Sequence, residues 1–71
     1  MGDLEEVVIG ADEFEALRLH DVLNLEQIKA AEKMHISQPT LGRLLDGAYK
    51  KIAGALVGGK AIRIERNEKT E

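Results

Sequence analysis

The sequence predicts a mainly α fold in one domain, residues 1–71, in which three helices are framed by a short strand at each end. Three observations predict it. Apolar side chains recur at helical spacing through three separate stretches, capping residues or glycines punctuate those stretches, and a short β-branched or alternating run flanks them on each side. At 71 residues there is room for one domain only, and so short a chain buries about 60% of its unfolded surface. The absence of cysteine removes disulfides and thiolate zinc sites together, so a second subunit is the expected source of added stability.

The first run ends in Val7-Val8-Ile9 and stops at Gly10, which predicts a strand over about 5–9. Asp12 is expected to cap the first helix, with Glu13 and Glu15 at the positive end of its dipole and Phe14, Leu17 and Val22 on one face; this helix should span about 12–21. Asn24 with Gln27 three residues later resembles a capping box, and Leu25, Ile28, Ala31 and Met34 keep helical spacing, so a second helix is expected over about 26–34. Ser37 is a good N-cap and Pro39 is tolerated in a first turn, which opens a third helix over about 38–57. Its inward stripe should be Leu41, Leu44, Leu45, Ala48, Ile52, Ala55 and Leu56, and its outer face Pro39, Gly42, Arg43, Asp46 and Lys50. Gly58-Gly59 ends it. Residues 60–65 alternate as a strand does, and 66–71 form a polar tail. An isolated two-stranded ribbon is marginal in water, so the strands are expected to pair with each other or with a second copy, giving a homodimer through the terminal strands.

Charge is unevenly spread. Residues 1–32 hold nine acidic side chains against Arg18 and Lys29, a net −7, while residues 33–71 hold eight basic against four acidic, a net +4. Such asymmetry fits a nucleic-acid partner approached by the basic half, although a charge run is as readily a solvated face. No apolar run approaches the ~20 residues of a membrane span, and the N-terminus has neither the basic charges nor the apolar core of a secretion signal. The expected location is therefore the cytoplasm. The sequence offers no nucleophile with a base, no paired carboxylates in an apolar pocket and no phosphate-cradling glycine loop, since Gly58-Gly59 follows a helix rather than preceding one, so no enzyme, cofactor or metal is expected.

The segment from Gln27 to Leu44 meets the requirements of a helix-turn-helix. Such a unit needs a small residue where two helices cross, a turn residue tolerant of positive φ, an apolar plug and a cap on the second helix. Ala31, His35, Ile36 and Ser37 fill these places in order, and Leu41 and Leu44 hold the second helix to the first. In a unit of this kind the N-terminal end of the second helix reads base edges in the major groove. Gln38 is suited to adenine, Thr40 to a phosphate or a thymine methyl, and Arg43 to guanine or phosphate. Ser37 and Pro39 shape the helix start, and Lys33, Lys50 and Lys51 are candidate phosphate contacts. His20 and His35 have no second ligand at a useful spacing.

The stretches Glu13-Phe14-Glu15-Ala16-Leu17-Arg18-Leu19, Ala30-Ala31-Glu32-Lys33-Met34, Ser37 with Pro39-Thr40, Ala48 through Leu56, and Gly59-Lys60-Ala61-Ile62-Arg63-Ile64 resemble a family of small bacterial and archaeal proteins described as predicted DNA-binding proteins. Their helix-turn-helix is similar to region 4 of sigma factors. The resemblance implies a sequence-specific DNA-binding protein and transcriptional regulator acting on double-stranded DNA; the alternative it implies is a module that docks on the transcription machinery, RNA polymerase included. Members commonly have Gly where His35 stands, and Arg where Gln38 and Tyr49 stand. They often carry a cysteine-bearing segment that this chain does not contain.

Overall fold

The computed structural model describes residues 5–66. The elements in order are β1 (Glu6–Ile9), α1 (Ala11–Leu17) continued by a π-helical turn (Arg18–Val22), α2 (Gln27–Met34), α3 (Gln38–Gly58) and β2 (Ala61–Ile64). The fold is thus mainly helical with two short flanking strands, as the periodicity predicts. Apart from Arg66, the polar tail expected over 66–71 lies outside the described residues.

Helix α1 begins at Gly10 rather than at Asp12. The Gly10 carbonyl accepts the first helical bond from the Phe14 N–H at 2.9 Å, and Glu13 Oε1 accepts from the Gly10 N–H at 2.9 Å. A glutamate at the third helical position therefore satisfies the donor at the helix start, so no cap is left for Asp12 to provide. Farther on the helix widens: the Leu23 N–H donates to the Arg18 carbonyl, five residues back, at 2.9 Å. That extra residue rotates the end of the helix, so Ala16 and Leu19 are buried while Val22, expected on the inner face, is 69% exposed. His20 helps close the turn, donating from Nδ1 to the Leu25 carbonyl at 2.7 Å.

Asn24 does not cap α2. It takes the left-handed conformation at φ 61, which asparagine tolerates, and Glu26 is the N-cap. The inner face of α2 is Ala30 and Ala31, with Met34 partly buried beside them. Ile28 lies about 200° around the helix from Ala30 and is 55% exposed, so the expected placement of Ile28 on the inner stripe is corrected. The end of α2 is as predicted: His35 is left-handed at φ 60, ψ 42, and the Ile36 N–H donates to the Ala31 carbonyl at 3.0 Å, the six-to-one bond of a Schellman close. Ile36 then turns back onto the core.

Ser37 caps α3, its side chain accepting from the Thr40 N–H at 3.2 Å, with Pro39 in the first turn where no intrahelical donor is needed. Leu41, Leu45, Ala48 and Ala55 are buried on one stripe, with Leu44 and Ile52 half-buried at its margins. Leu56, expected on that stripe, is instead 75% exposed, because one residue beyond Ala55 turns it about 100° past the covered side. Gly59 ends the helix in the left-handed region at φ 65.

The core joins Ala16 and Leu19 to Ala30 and Ala31 of α2 and Leu41 and Leu45 of α3. Alanines at the crossing let the helices approach closely, while the two leucines fill the space between them. β1 and β2 pair with each other in parallel, Val7 beside Ile62 and Ile9 beside Ile64, and α3 lies across β1. Ion pairs Arg63–Glu6 at 3.1 Å and Lys60–Glu5 at 3.2 Å tie the two strands together. Each strand keeps one free edge.

Because histidine pays a steric cost in the left-handed region that glycine does not, His35→Gly is expected to stabilise the domain by about 0.5–1 kcal/mol after allowing for glycine's greater unfolded-state entropy. The check is thermal unfolding, where a rise of several degrees is expected in a domain of this size.

Candidate nucleic-acid interface

The first two turns of α3 bring together five of the residues singled out in the sequence. Ser37, Gln38, Pro39 and Arg43 are exposed and Thr40 is half-buried. The Ser37 hydroxyl donates to Thr40 Oγ1 at 2.9 Å, which fixes Thr40 against the cap. Gln38, Pro39 and Arg43 are left exposed on the first two turns of a helix whose free N–H groups point out along its axis at the same end. Leu41 and Leu45 brace the helix from behind.

Lys50 continues this outer stripe, seven residues and about 10.5 Å beyond Arg43. Among the described residues, Arg43, Lys50 and Lys33 have no ion-pair partner. Lys33 stands apart from α3: it borders an open groove of about 470 Å³ with Phe14, Glu15, Met34 and Arg66, where the Arg66 guanidinium carbon lies 5.9 Å from the Phe14 ring centroid.

Lys51 does not share the stripe with Lys50. One residue on, it is turned about 100° to the flank, where its Nζ meets Glu13 Oε1 at 2.8 Å. The same carboxylate oxygen accepts from the Gly10 N–H, so Glu13 ties the start of α1 to the middle of α3. Gly47 makes room for it: a Cβ there would lie 2.9 Å from Glu13 Oε2. Burial pushes the Glu13 carboxyl upward, but the hydrogen bonds from Lys51 and Gly10 and the attraction of the Lys51 charge outweigh it and hold the group below its ordinary value. The acidic half is internally engaged elsewhere too. Arg18 is gripped by Glu15 at 2.7 Å, which lowers the Glu15 carboxyl despite partial burial.

Tyr49 clarifies one departure from the resembled family. Its hydroxyl donates to both oxygens of Asp21, at 2.7 and 3.0 Å. Burial and that carboxylate, with Asp46 nearby, push its ionisation up to about 12. The position therefore serves a tie between α3 and the π-helical turn, and an arginine there would find the same partner.

Sequence reading overlooked two features. The Glu13–Lys51 tie joins residues 38 apart, and no local spacing announces it. Gly42 carried a usable signal: it sits inside α3 between Gln38 and Arg43, a Cβ there would meet nothing within 4 Å, and glycine in a helix interior costs up to about 1 kcal/mol relative to alanine. Packing does not require it, and it leaves bare backbone beside the exposed side chains.

With Glu13 depressed in the folded state, its contribution is complete above the unfolded value near 4.5 and is lost as pH falls through the lower folded value. Glu13→Gln is therefore expected to flatten the fall in stability below about pH 4.5. Urea unfolding of both proteins across that window checks it.

Comparisons with known proteins agree on one grouping. A family model described as "Protein of unknown function DUF134" matches residues 2–70. Among curated relatives, a UPF0251 protein of Thermoanaerobacter pseudethanolicus is 49% identical over 65 residues, covering 92% of this chain and 55% of the relative. One of Desulforudis audaxviator is 56% identical over 63 residues, covering 89% and 41%, and one of Dehalococcoides mccartyi is 55% identical over 62 residues, covering 87% and 53%. The chain spans about half the length of these relatives. No solved structure matches. By the extent of the family match and the identity to these relatives, the chain belongs to the DUF134/UPF0251 family.

Proposed function

We propose that this chain is a sequence-specific DNA-binding domain of a transcriptional regulator, with α3 entering the major groove by its N-terminal end and two copies reading two half-sites. The observation that supports it most is the α2–α3 unit itself. A left-handed His35 and a capping Ser37 set an exposed helix start carrying Gln38, Pro39, Thr40 and Arg43 at an angle to α2, with bare backbone at Gly42 and Lys50 farther along. In this reading Gln38 contacts adenine, Arg43 reads guanine or grips phosphate, Thr40 reaches a phosphate or a thymine methyl, and Lys50 neutralises a phosphate. Lys33 remains available for a phosphate contact on the α2 side, whereas Lys51 would have to leave Glu13 to make one.

The excess of acid in the first half does not oppose this reading. The ion pairs of Glu5, Glu6, Glu13 and Glu15 engage as many basic as acidic side chains and leave the net −3 of the chain unchanged; the potential in front of α3 is set by the side chains that stand there, Arg43 and Lys50 with Asp46 between them.

One observation favours a second reading, docking on the transcription machinery as sigma region-4-like domains do. Val22, Leu23 and Ile28 are exposed at 69%, 51% and 55% around the link into α2, an apolar surface that base or phosphate contacts would not use. RNA polymerase is the partner such a surface suggests.

Gln38→Ala is expected to lower discrimination between the cognate site and a scrambled duplex by about 1–3 kcal/mol. Lys50→Ala should weaken binding to all sequences alike and reduce the salt slope by about one. Selection of bound sequences from random duplexes, followed by titration of both variants at several salt concentrations, checks the pair. Equal loss of affinity for cognate and scrambled DNA on Gln38→Ala would remove Gln38 from base readout.

A further inference from the structure

The second half of α3 is unlike the first. From Ile52 to Gly59 the sequence reads Ile-Ala-Gly-Ala-Leu-Val-Gly-Gly with no charged or hydrogen-bonding side chain, yet only Ala55 of these residues is buried. Leu56 and Val57 are exposed at 75% and 90%, and the Tyr49 ring lies one heptad before Leu56 on the same edge of the helix. A solvent-facing helical surface is ordinarily polar.

We propose that this surface is a homodimer seam, in which α3 of one copy packs antiparallel against α3 of a second copy about a two-fold axis at Ala53. Three observations favour a second copy as the occupant. The centre of the seam is small, Ala53 and Gly54, with open space over Gly54, so two helix axes can approach to the ~8–10 Å of ordinary helix packing. The ends are complementary in charge. The last turn of α3 contains no basic side chain, and Lys60, which lies over Gly58, has its charge engaged by Glu5; the two-fold axis brings Lys50 of the other copy alongside that turn. The seam also sets a spacing. Arg43 and Thr40 lie 10 and 13 residues from the axis, so the two copies of each stand about 30 and 39 Å apart along the helix direction. These distances bracket the ~34–36 Å between half-sites one helical turn apart. Arg43 is about 80° around the helix from Ala53, and the two-fold axis turns both copies of it to the same side of the pair. The spacing rests on the DNA-binding reading, whereas the seam does not.

Eight residues rise only about 12 Å, so the seam falls short of the ~800 Å² per partner of a standard interface. Association is therefore concentration-dependent. The free strand edges offer less: each strand is four residues long, and the ion pairs Lys60–Glu5 and Arg63–Glu6 already engage their charges.

The test is the mass of the full chain by sedimentation at about 1 mM, a concentration that populates even a weak pair. The expected mass is twice 7.8 kDa for the wild type and 7.8 kDa for the Leu56→Glu, Val57→Glu double variant, with helical circular dichroism unchanged because both side chains are exposed. A second arm uses Ala53→Cys, the only thiol in a chain without cysteine. Oxidation should join two copies across the axis, since a disulfide needs Cα atoms about 5.5–6 Å apart. A monomeric wild type, a double variant that remains dimeric, or an Ala53→Cys protein that does not cross-link would each overturn the seam. A dimer with no affinity for duplex DNA would support the seam while removing the DNA-binding reading.

Discussion

The arrangement rests on the crossing of α2 and α3 over Ala30, Ala31, Leu41 and Leu45. Two adjacent alanines bring the α2 backbone against the leucines of α3, and the three-residue link between the helices works only because His35 accepts a left-handed backbone. Ile36 anchors that link on the core and Ser37 closes the start of α3. Exposure of Pro39 and Arg43 is a consequence of this crossing, since the stripe that buries Leu41 and Leu45 leaves the opposite side of the same turns in solvent, whereas Gln38, one heptad before Leu45, is exposed because it stands at the very start of the helix.

The Glu13–Lys51 tie has a different role. It fixes α1 and β1 to the middle of α3 from outside the core, so the strands and the long helix keep their relation although the sheet has only two strands. The charges that a phosphate backbone would attract are those left over from such pairing. Arg43 and Lys50 lie on the outer stripe of α3, whereas Lys51, Lys60 and Arg63 are engaged within the chain.

The legible parts of the sequence were those governed by local backbone chemistry. Ser37 as cap, His35 at positive φ, Gly59 at the end of α3 and the strands on either side all derive from residue type and neighbours. The misplacements share a cause, which is that periodicity finds a stripe without fixing its phase. Ile28 falls on the far side of α2 from Ala30 and Leu56 just past the edge of its stripe, because the covered side is decided in each case by a distant element, and the π-helical turn shifts Val22 by inserting a residue that no local pattern requires. Asp12 and Asn24 had the right chemistry for caps but lost their places to Gly10 and Glu26, because Glu13 satisfied the first helix start and Asn24 took a left-handed turn. Of the site residues, those on the first two turns of α3 could be read from spacing. The separation of Lys50 from Lys51 could not, since it depends on the position of Glu13.

Whether the start of α3 is the surface that meets DNA can be read from backbone amide shifts, followed by nuclear magnetic resonance during titration with duplex DNA. Perturbations should concentrate on Ser37 through Arg43, with a weaker group near Lys50, all fading as salt is raised. Perturbations confined to the Val22, Leu23 and Ile28 surface, or none at low salt, would show that α3 does not enter the groove.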